Sequence, residues 1–462
     1  MRYLSTRGGT APMPFSEAVL TGLAPDGGLL VPERFPDVAD RLDAWRELSY
    51  VELAQEIFRL YVDDIPGADL DAIVADAFTA FDHPDIAPLV DLGDFKVLEL
   101  FHGPTLSFKD VALQILGRLF EYLLGKSGRH LNIVGATSGD TGSAAIYGVR
   151  GRDNLSIFVL YPDGGTSALQ ELQMTAVPDA NVHCLAIDGS FDDCQSILKS
   201  IFGDLPFKDR HRLGAVNSIN WARVLAQMSY YVHVCLRSEG PAVFAVPTGN
   251  FGNIFAAIAV REMGVPIKRF VLATNENDIL ARFFQTGVYR RGQVHRTISP
   301  SMDIQVASNL ERFLWLRFDR NPARVKRFMA DFAKSGEASL GDGRPTDKGV
   351  DALAVDVSDT KAAMRDIHER YGYVADPHSA VGIEAARRAS RTADGTRPVC
   401  IGAAHPAKFP DAVIEAVGPG ARHAARHPRL DRLDPAAARR IVLPPNTEAV
   451  MNYISGNASA GK

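Results

Sequence analysis

Short, unbroken apolar runs alternate along the chain with Gly/Ser/Thr-rich turns and amphipathic stretches. LNIVG (131–135) leads into ATSGDTG and then SAAIYGV. LSIFVLY (155–161) leads into PDGGTS and a helical pattern starting near residue 168. NVHCLAI (181–187) leads into DGS and FDDCQSILKSIF, and AVFAVP (242–247) into TGNFGN and IFAAIAVREMG. FVLAT (270–274) and VCIGA (399–403) read as further buried strands. Uninterrupted apolar strands separated by helices specify an α/β fold with a doubly wound parallel sheet covered on both faces. Ligands of such sheets bind beyond the carboxyl ends of the strands, which is where these turns fall.

Residues 1–95 depart from this rhythm, with Pro-rich turns (GLAPDGGLLVPERFP) and helical stretches such as LSYVELAQEIFRLY. They read as a separate N-terminal portion. The remainder divides into a smaller α/β domain, 96–215, holding Lys109 and GATSGDTG, and a larger one, 216–462, holding TGNFGN. Residues 334–350 (KSGEASLGDGRPTDKGV) form an exposed connection, either a plain surface loop or a lid. The arginine-rich stretch 421–440 lacks interleaved aromatics and reads as a solvated basic face rather than a nucleic-acid patch.

Composition narrows the class. The 462 residues are 46% apolar and 23% charged, with a net charge of −5, which excludes a disordered chain and a general polyanion binder. The 4 cysteines form no CxxC pair, arguing against a zinc ribbon or disulfide scaffold and for a reducing, cytoplasmic setting. MRYLSTRGGT has no apolar signal core, and no apolar run approaches the ~20 residues of a membrane span.

Four turns could carry chemistry. In HGPTLSFKDVALQILG, Ser107 and Asp110 have capping-box spacing, which puts Lys109 in the first turn of a helix. The positive end of the helix dipole disfavours its charge and favours the neutral, Schiff-base-forming amine; an exposed lysine at a helix start is the alternative. In TGNFGN, Gly249 and Gly252 permit close backbone approach, Asn250 and Asn253 add donors, and the following helix start suits a phosphate. In GATSGDTG, Ser138 and Thr141 could grip a carboxylate and Asp140 could accept from a hydroxyl or ammonium. In NSINWAR, Asn217, Asn220 and Arg223 share a face if the segment is already helical, and an arginine with two amides suits an oxyanion. The glycine spacings match neither a dinucleotide fingerprint nor a P-loop, GxSxG and HExxH are absent, and no metal site is indicated.

Together these turns supply a poised amine, a phosphate cradle, a carboxylate site and a second anion site. The chain resembles the threonine synthase family of fold-type-II pyridoxal-phosphate enzymes nearly end to end. The likeness runs through MRYLSTRG, GLAPDGGLLVPE, HGPTLSFKD, GATSGDTG, NSINWARVLAQ, PTGNFGN, SPSMDIQVASNLER, DPHSAVG and AHPAKF. It implies two doubly wound parallel-sheet domains plus the N-terminal portion. It implies pyridoxal 5'-phosphate held by Lys109 as a Schiff base, with Gly249, Asn250, Phe251, Gly252 and Asn253 at the cofactor phosphate. It implies Ser138, Asp140 and Thr141 beside the cofactor, Asn217, Asn220 and Arg223 at the substrate phosphate, and Thr105 nearby. The implied reaction converts O-phospho-L-homoserine and water to L-threonine and phosphate, a carbon–oxygen lyase activity with a small-molecule partner and no membrane. Monomer or homodimer is left open. A dehydratase-like lyase of the same fold would not need the second anion site, and a non-catalytic binder of phosphorylated metabolites would not need Lys109. In the family a Thr or Ser often stands two residues before the histidine of AHPAKF and faces the pyridine nitrogen; this chain has Ala403 there.

Overall fold

The computed structural model describes residues 1–137, 139–341, 343, 349–390 and 395–459. Its larger sheet has 6 strands in the order Val350–Ala354, Ile267–Thr274, Ala242–Pro247, Val399–Gly402, Lys96–Glu99 and Leu89–Asp91. All neighbours in it are parallel except Leu89–Asp91, which returns antiparallel on Lys96–Glu99. The second sheet has 5 parallel strands in the order Ile441–Leu443, Val182–Ile187, Leu155–Pro162, Leu131–Ala136 and Leu213–Gly214. Leu155–Pro162 is buried along its whole length, as a central strand covered on both faces must be.

Sheet membership crosses the chain positions 96 and 216 that the sequence suggests as boundaries. Lys96–Glu99 lies in the larger sheet beside Val399–Gly402, and Ile441–Leu443 edges the smaller sheet beside Val182–Ile187. The N-terminal portion is likewise fused to the rest. Its hairpin, Tyr3–Ser5 on Leu30–Pro32, and its helix Tyr50–Tyr61 pack onto the helix Trp221–Leu236. The rings of Tyr3, Phe35 and Tyr61 surround Trp221 at 6.2, 6.4 and 5.9 Å. Every residue of Trp221–Leu236 is buried, because that helix also packs against Lys109–Ser127 and Gly252–Glu262.

Two helices pass at close range. A Cβ on Gly117 would overlap the Gly148 carbonyl, so the helices Lys109–Ser127 and Asp140–Val149 touch backbone to backbone. The arginine-rich stretch is largely exposed, as a solvated face is, and several of its arginines are tied down: Arg429 pairs with Asp82 and Arg440 with Asp163, while Arg439 donates to the Val177 carbonyl at 2.7 Å. The 334–350 connection lies partly outside the described residues. Among them, no helix is long and apolar enough to cross a membrane.

Candidate active site

A cleft of about 2560 Å³ opens where the strand-to-helix turns of the two sheets face each other. That exceeds the several hundred cubic ångströms one small ligand needs, so there is room for two. Lys109, Asp140, Thr141, Asn217, Arg223, Gly249, Asn250, Phe251, Gly252 and Asn253 line it.

Lys109 is the first residue of its helix, with Phe108 as the N-cap. The capping box is replaced by a different arrangement. Ser107 Oγ accepts from Lys109 N at 3.4 Å, and Asp110 turns back to accept from Thr105 N at 2.8 Å and Thr105 Oγ1 at 2.7 Å. The reason is the left-handed backbone at Leu106, whose φ of 62° folds the loop so that Thr105 meets the Asp110 carboxylate at close range, with Ser107 N farther off at 3.5 Å. Burial pushes the Asp110 carboxyl up to about 6, against the hydrogen bonds from Thr105.

Lys109 is buried, with Nζ 3.1 Å from Ser301 Oγ and 3.7 Å from Asp140 Oδ2. Burial lowers its pKa, opposed by Asp140 and reinforced by Lys408 and Arg223. Desolvation thus leads the effect that the sequence reading ascribes to the helix dipole. Asp140 is equally enclosed; burial alone would raise it, but Lys408 and Lys109 hold it well below the usual carboxylate range. Its Oδ1 accepts from Gln170 Nε2 at 3.1 Å, and its Oδ2 accepts from Ser301 Oγ at 3.3 Å. Ser301 is fixed in turn, its N–H donating to His378 Nε2 at 3.2 Å, with His378 Nδ1 2.8 Å from Asp376.

In TGNFGN the strand Ala242–Pro247 turns sharply into Gly252–Glu262 through Phe251, whose φ is 63°. A Cβ on Gly249 would lie 2.8 Å from the Ser301 carbonyl, so the glycine is required by close approach. Phe251 is buried, its ring stacked 5.9 Å from Phe284, and Asn253 Oδ1 accepts from the hydroxyls of Tyr230 and Tyr231 at 2.5 and 2.7 Å. What this turn offers a ligand is therefore chiefly backbone N–H groups at a helix start, which have no intrahelical acceptor.

Arg223 is 4% exposed, and its Nε and Nη1 have no hydrogen-bond partner. Burial brings its pKa down to about 10. A buried guanidinium that lines a cleft and has idle donors has the chemistry to bind an anion. Two predicted neighbours stand elsewhere. The helix begins at Trp221, one residue after Asn220, so Asn217, Asn220 and Arg223 do not share a helical face. Asn220 caps that helix, accepting from Ala222 N at 3.1 Å and donating to the Val19 carbonyl at 2.8 Å. Thr105 is fully buried, with its hydroxyl on Asp110 and its carbonyl accepting from Lys408 and Gln173. Ser138 lies outside the described residues. Ala403 lines the cleft, and its backbone N–H donates to Ser379 Oγ at 2.8 Å.

Sequence reasoning missed Lys408, Ser301, His378 and Gln170. Lys408 stands in AHPAKF among apolar residues, a place where a lysine needs a partner, and that was its one visible signal.

Comparison with known proteins gives three family matches that together span the chain. They are "Threonine synthase N terminus" at residues 2–78, "Pyridoxal-phosphate dependent enzyme" at 87–403, and "Threonine synthase, C-terminal" at 379–454. A threonine synthase of Pseudomonas aeruginosa is 44% identical, covering 100% of both chains. One from Schizosaccharomyces pombe is 45% identical over 89% of this chain and 88% of its own. The crystal structure of pyridoxal-phosphate-bound threonine synthase from Brucella melitensis superposes with a TM-score of 0.92 at 42% identity, over 99% of each chain.

Proposed function

The chain belongs to the threonine synthase family, and from that premise we propose that Lys109, Arg223 and the TGNFGN turn divide its reaction among them. It is a pyridoxal-phosphate-dependent lyase that forms threonine. The cleft residues fit the cofactor. Lys109 is a buried amine with a lowered pKa, and Gly249 leaves a space beside Ser301 that any Cβ would fill. When bound, pyridoxal phosphate supplies an aldehyde for an amine and a ring that accepts electrons from a neighbouring carbon.

In this reading Lys109 holds the aldehyde, and the backbone N–H groups of Gly252 and Asn253 hold the cofactor phosphate. When not holding the aldehyde, the Lys109 Nζ would be the group placed to move protons to and from the carbons of O-phospho-L-homoserine. Ser301 Oγ bridges Lys109 and Asp140, so it can pass a proton between them. Asp140 and Thr141 stand at the substrate's amino-acid end. Arg223 and Asn217, which both line the cleft, take the substrate phosphate, and Arg223 stabilises it as a leaving group. Thr105 and Asn220 support this set from behind, the first through Asp110 and Lys408, the second by capping the helix of Arg223. The 4 cysteines are buried and unbridged, which supports a reducing, cytoplasmic setting.

The observation that carries this reading is that Lys109 and Arg223, whose Nε and Nη1 have no hydrogen-bond partner, line one cleft. Two measurements test it. Purified protein given O-phospho-L-homoserine should release phosphate and threonine in equal amounts. Borohydride reduction should leave the cofactor mass on the peptide containing Lys109. Phosphate release without threonine, or a tag on another lysine, rejects it.

A further inference from the structure

The ammonium of Lys408 is one of the most enclosed charges in the molecule, its side chain 1% exposed, and it has three acceptors. These are the Thr105 carbonyl at 2.8 Å, Gln173 Oε1 at 2.5 Å and Asp140 Oδ1 at 3.1 Å. They come from three elements: the loop entering Lys109, the helix Ala168–Thr175 and the helix Asp140–Val149. Asp140 is thereby shared between two lysines, with Oδ1 toward Lys408 and Oδ2 toward Lys109. The nearer and fully hydrogen-bonded partner is Lys408.

We propose that Lys408 is a positioning residue for Lys109, acting through Asp140: it neutralises the carboxylate, so the Lys109 nitrogen can give up its proton inside the cleft. A lone buried carboxylate 3.7 Å from Lys109 would hold that nitrogen protonated. With Lys408 on the other oxygen, the carboxylate's negative charge is already matched. The other charged or titratable groups facing Lys109 are Arg223, whose charge also favours the neutral amine, and His378, behind Ser301. Asp110 faces the opposite way, toward Thr105. By the same tie, Lys408 fixes the Thr105 carbonyl and with it the loop that sets Lys109 at the helix start.

This inference rests on the reading that Lys109 carries the cofactor, and its test separates the two. In the holoenzyme, the proton on the Lys109–cofactor linkage is read by titrating cofactor absorbance against pH. Lys408→Met should raise the midpoint by about one pH unit or more, because Asp140 then acts on Lys109 alone. Lys408→Arg should restore it most of the way. Asp140→Asn should lower it, and adding Lys408→Met to Asp140→Asn should change it little. Lys408→Gln, which keeps a donor for the Thr105 carbonyl, decides the matter if the Met variant does not fold. A midpoint in Lys408→Met or Lys408→Gln equal to wild type, in protein that melts normally, overturns the inference and leaves Lys408 a purely structural tie. Absence of a borohydride tag on Lys109 in wild type overturns the underlying reading instead.

Discussion

Lys109 Nζ and Ser301 Oγ stand 3.1 Å apart across 192 positions of sequence. The first is carried by the helix start after the HGPTLSF loop, the second by the short turn Pro300–Met302. Gly249 lets that turn approach TGNFGN, and His378 holds its backbone. The reactive nitrogen is thus set by contacts distant in sequence, and each can be tested separately.

Arg223→Ala should raise the KM for O-phospho-L-homoserine about 10- to 100-fold, the loss expected for charge-assisted hydrogen bonds to an anion. Arg223→Lys should recover only part, since an ammonium cannot reproduce the guanidinium fork. Steady-state phosphate release checks both, and an unchanged KM would remove Arg223 from the substrate.

Asn220→Ala should behave in the opposite way. It removes a helix cap and a bond to the Val19 carbonyl, so unfolding should cost on the order of 1–3 kcal/mol less while KM stays put. Chemical denaturation beside steady-state kinetics measures the pair. A raised KM at full stability would mean that Asn220 reaches substrate after all.

Gly249→Ala places a methyl 2.8 Å from the Ser301 carbonyl, so the Pro300–Met302 turn must shift. Cofactor affinity should fall about tenfold or more, through a displaced Ser301 and an obstructed turn. Absorbance titration of cofactor-free protein with pyridoxal phosphate gives the number; equal affinity would show that the turn yields without consequence.

His233 is 8% exposed and sits edge-on to Tyr50 at 5.2 Å. Burial, helped by Arg237, lowers its pKa to about 3. The unfolded chain binds this proton near pH 6.5, whereas the folded chain refuses it until far more acid conditions. Stability is therefore full above about pH 6.5 and falls as pH drops toward 3, by about 2 kcal/mol at pH 5. His233→Phe should flatten that part of a melting-temperature profile, and an equally steep profile would assign the acid sensitivity to other groups.

Much of the scaffold was legible because a buried parallel strand announces itself. The runs at 131–135, 155–161, 181–187, 242–247, 270–274 and 399–403 all fall on strands. Lys96–Glu99, Leu213–Gly214, Val350–Ala354 and Ile441–Leu443 do not announce themselves as strands, being short segments stabilised by partners far along the chain, and Leu89–Asp91 is a short edge strand folded back on Lys96–Glu99. Lys109 could be placed because its helix has a clear apolar face. Asn220 was misplaced because side-chain spacing says nothing about whether a residue precedes a helix or belongs to it. Lys408 and Ser301 carry no local pattern; only the folded chain brings them to Asp140 and Lys109.

The strand order has a consequence for synthesis. Val399–Gly402 lies between Ala242–Pro247 and Lys96–Glu99, and Ile441–Leu443 finishes the edge beside Val182–Ile187. A ribosome making this chain must therefore deliver residue 402 before the larger sheet is complete and residue 443 before the smaller one is, and until then the nascent protein carries open strand edges that a chaperone would have to shield.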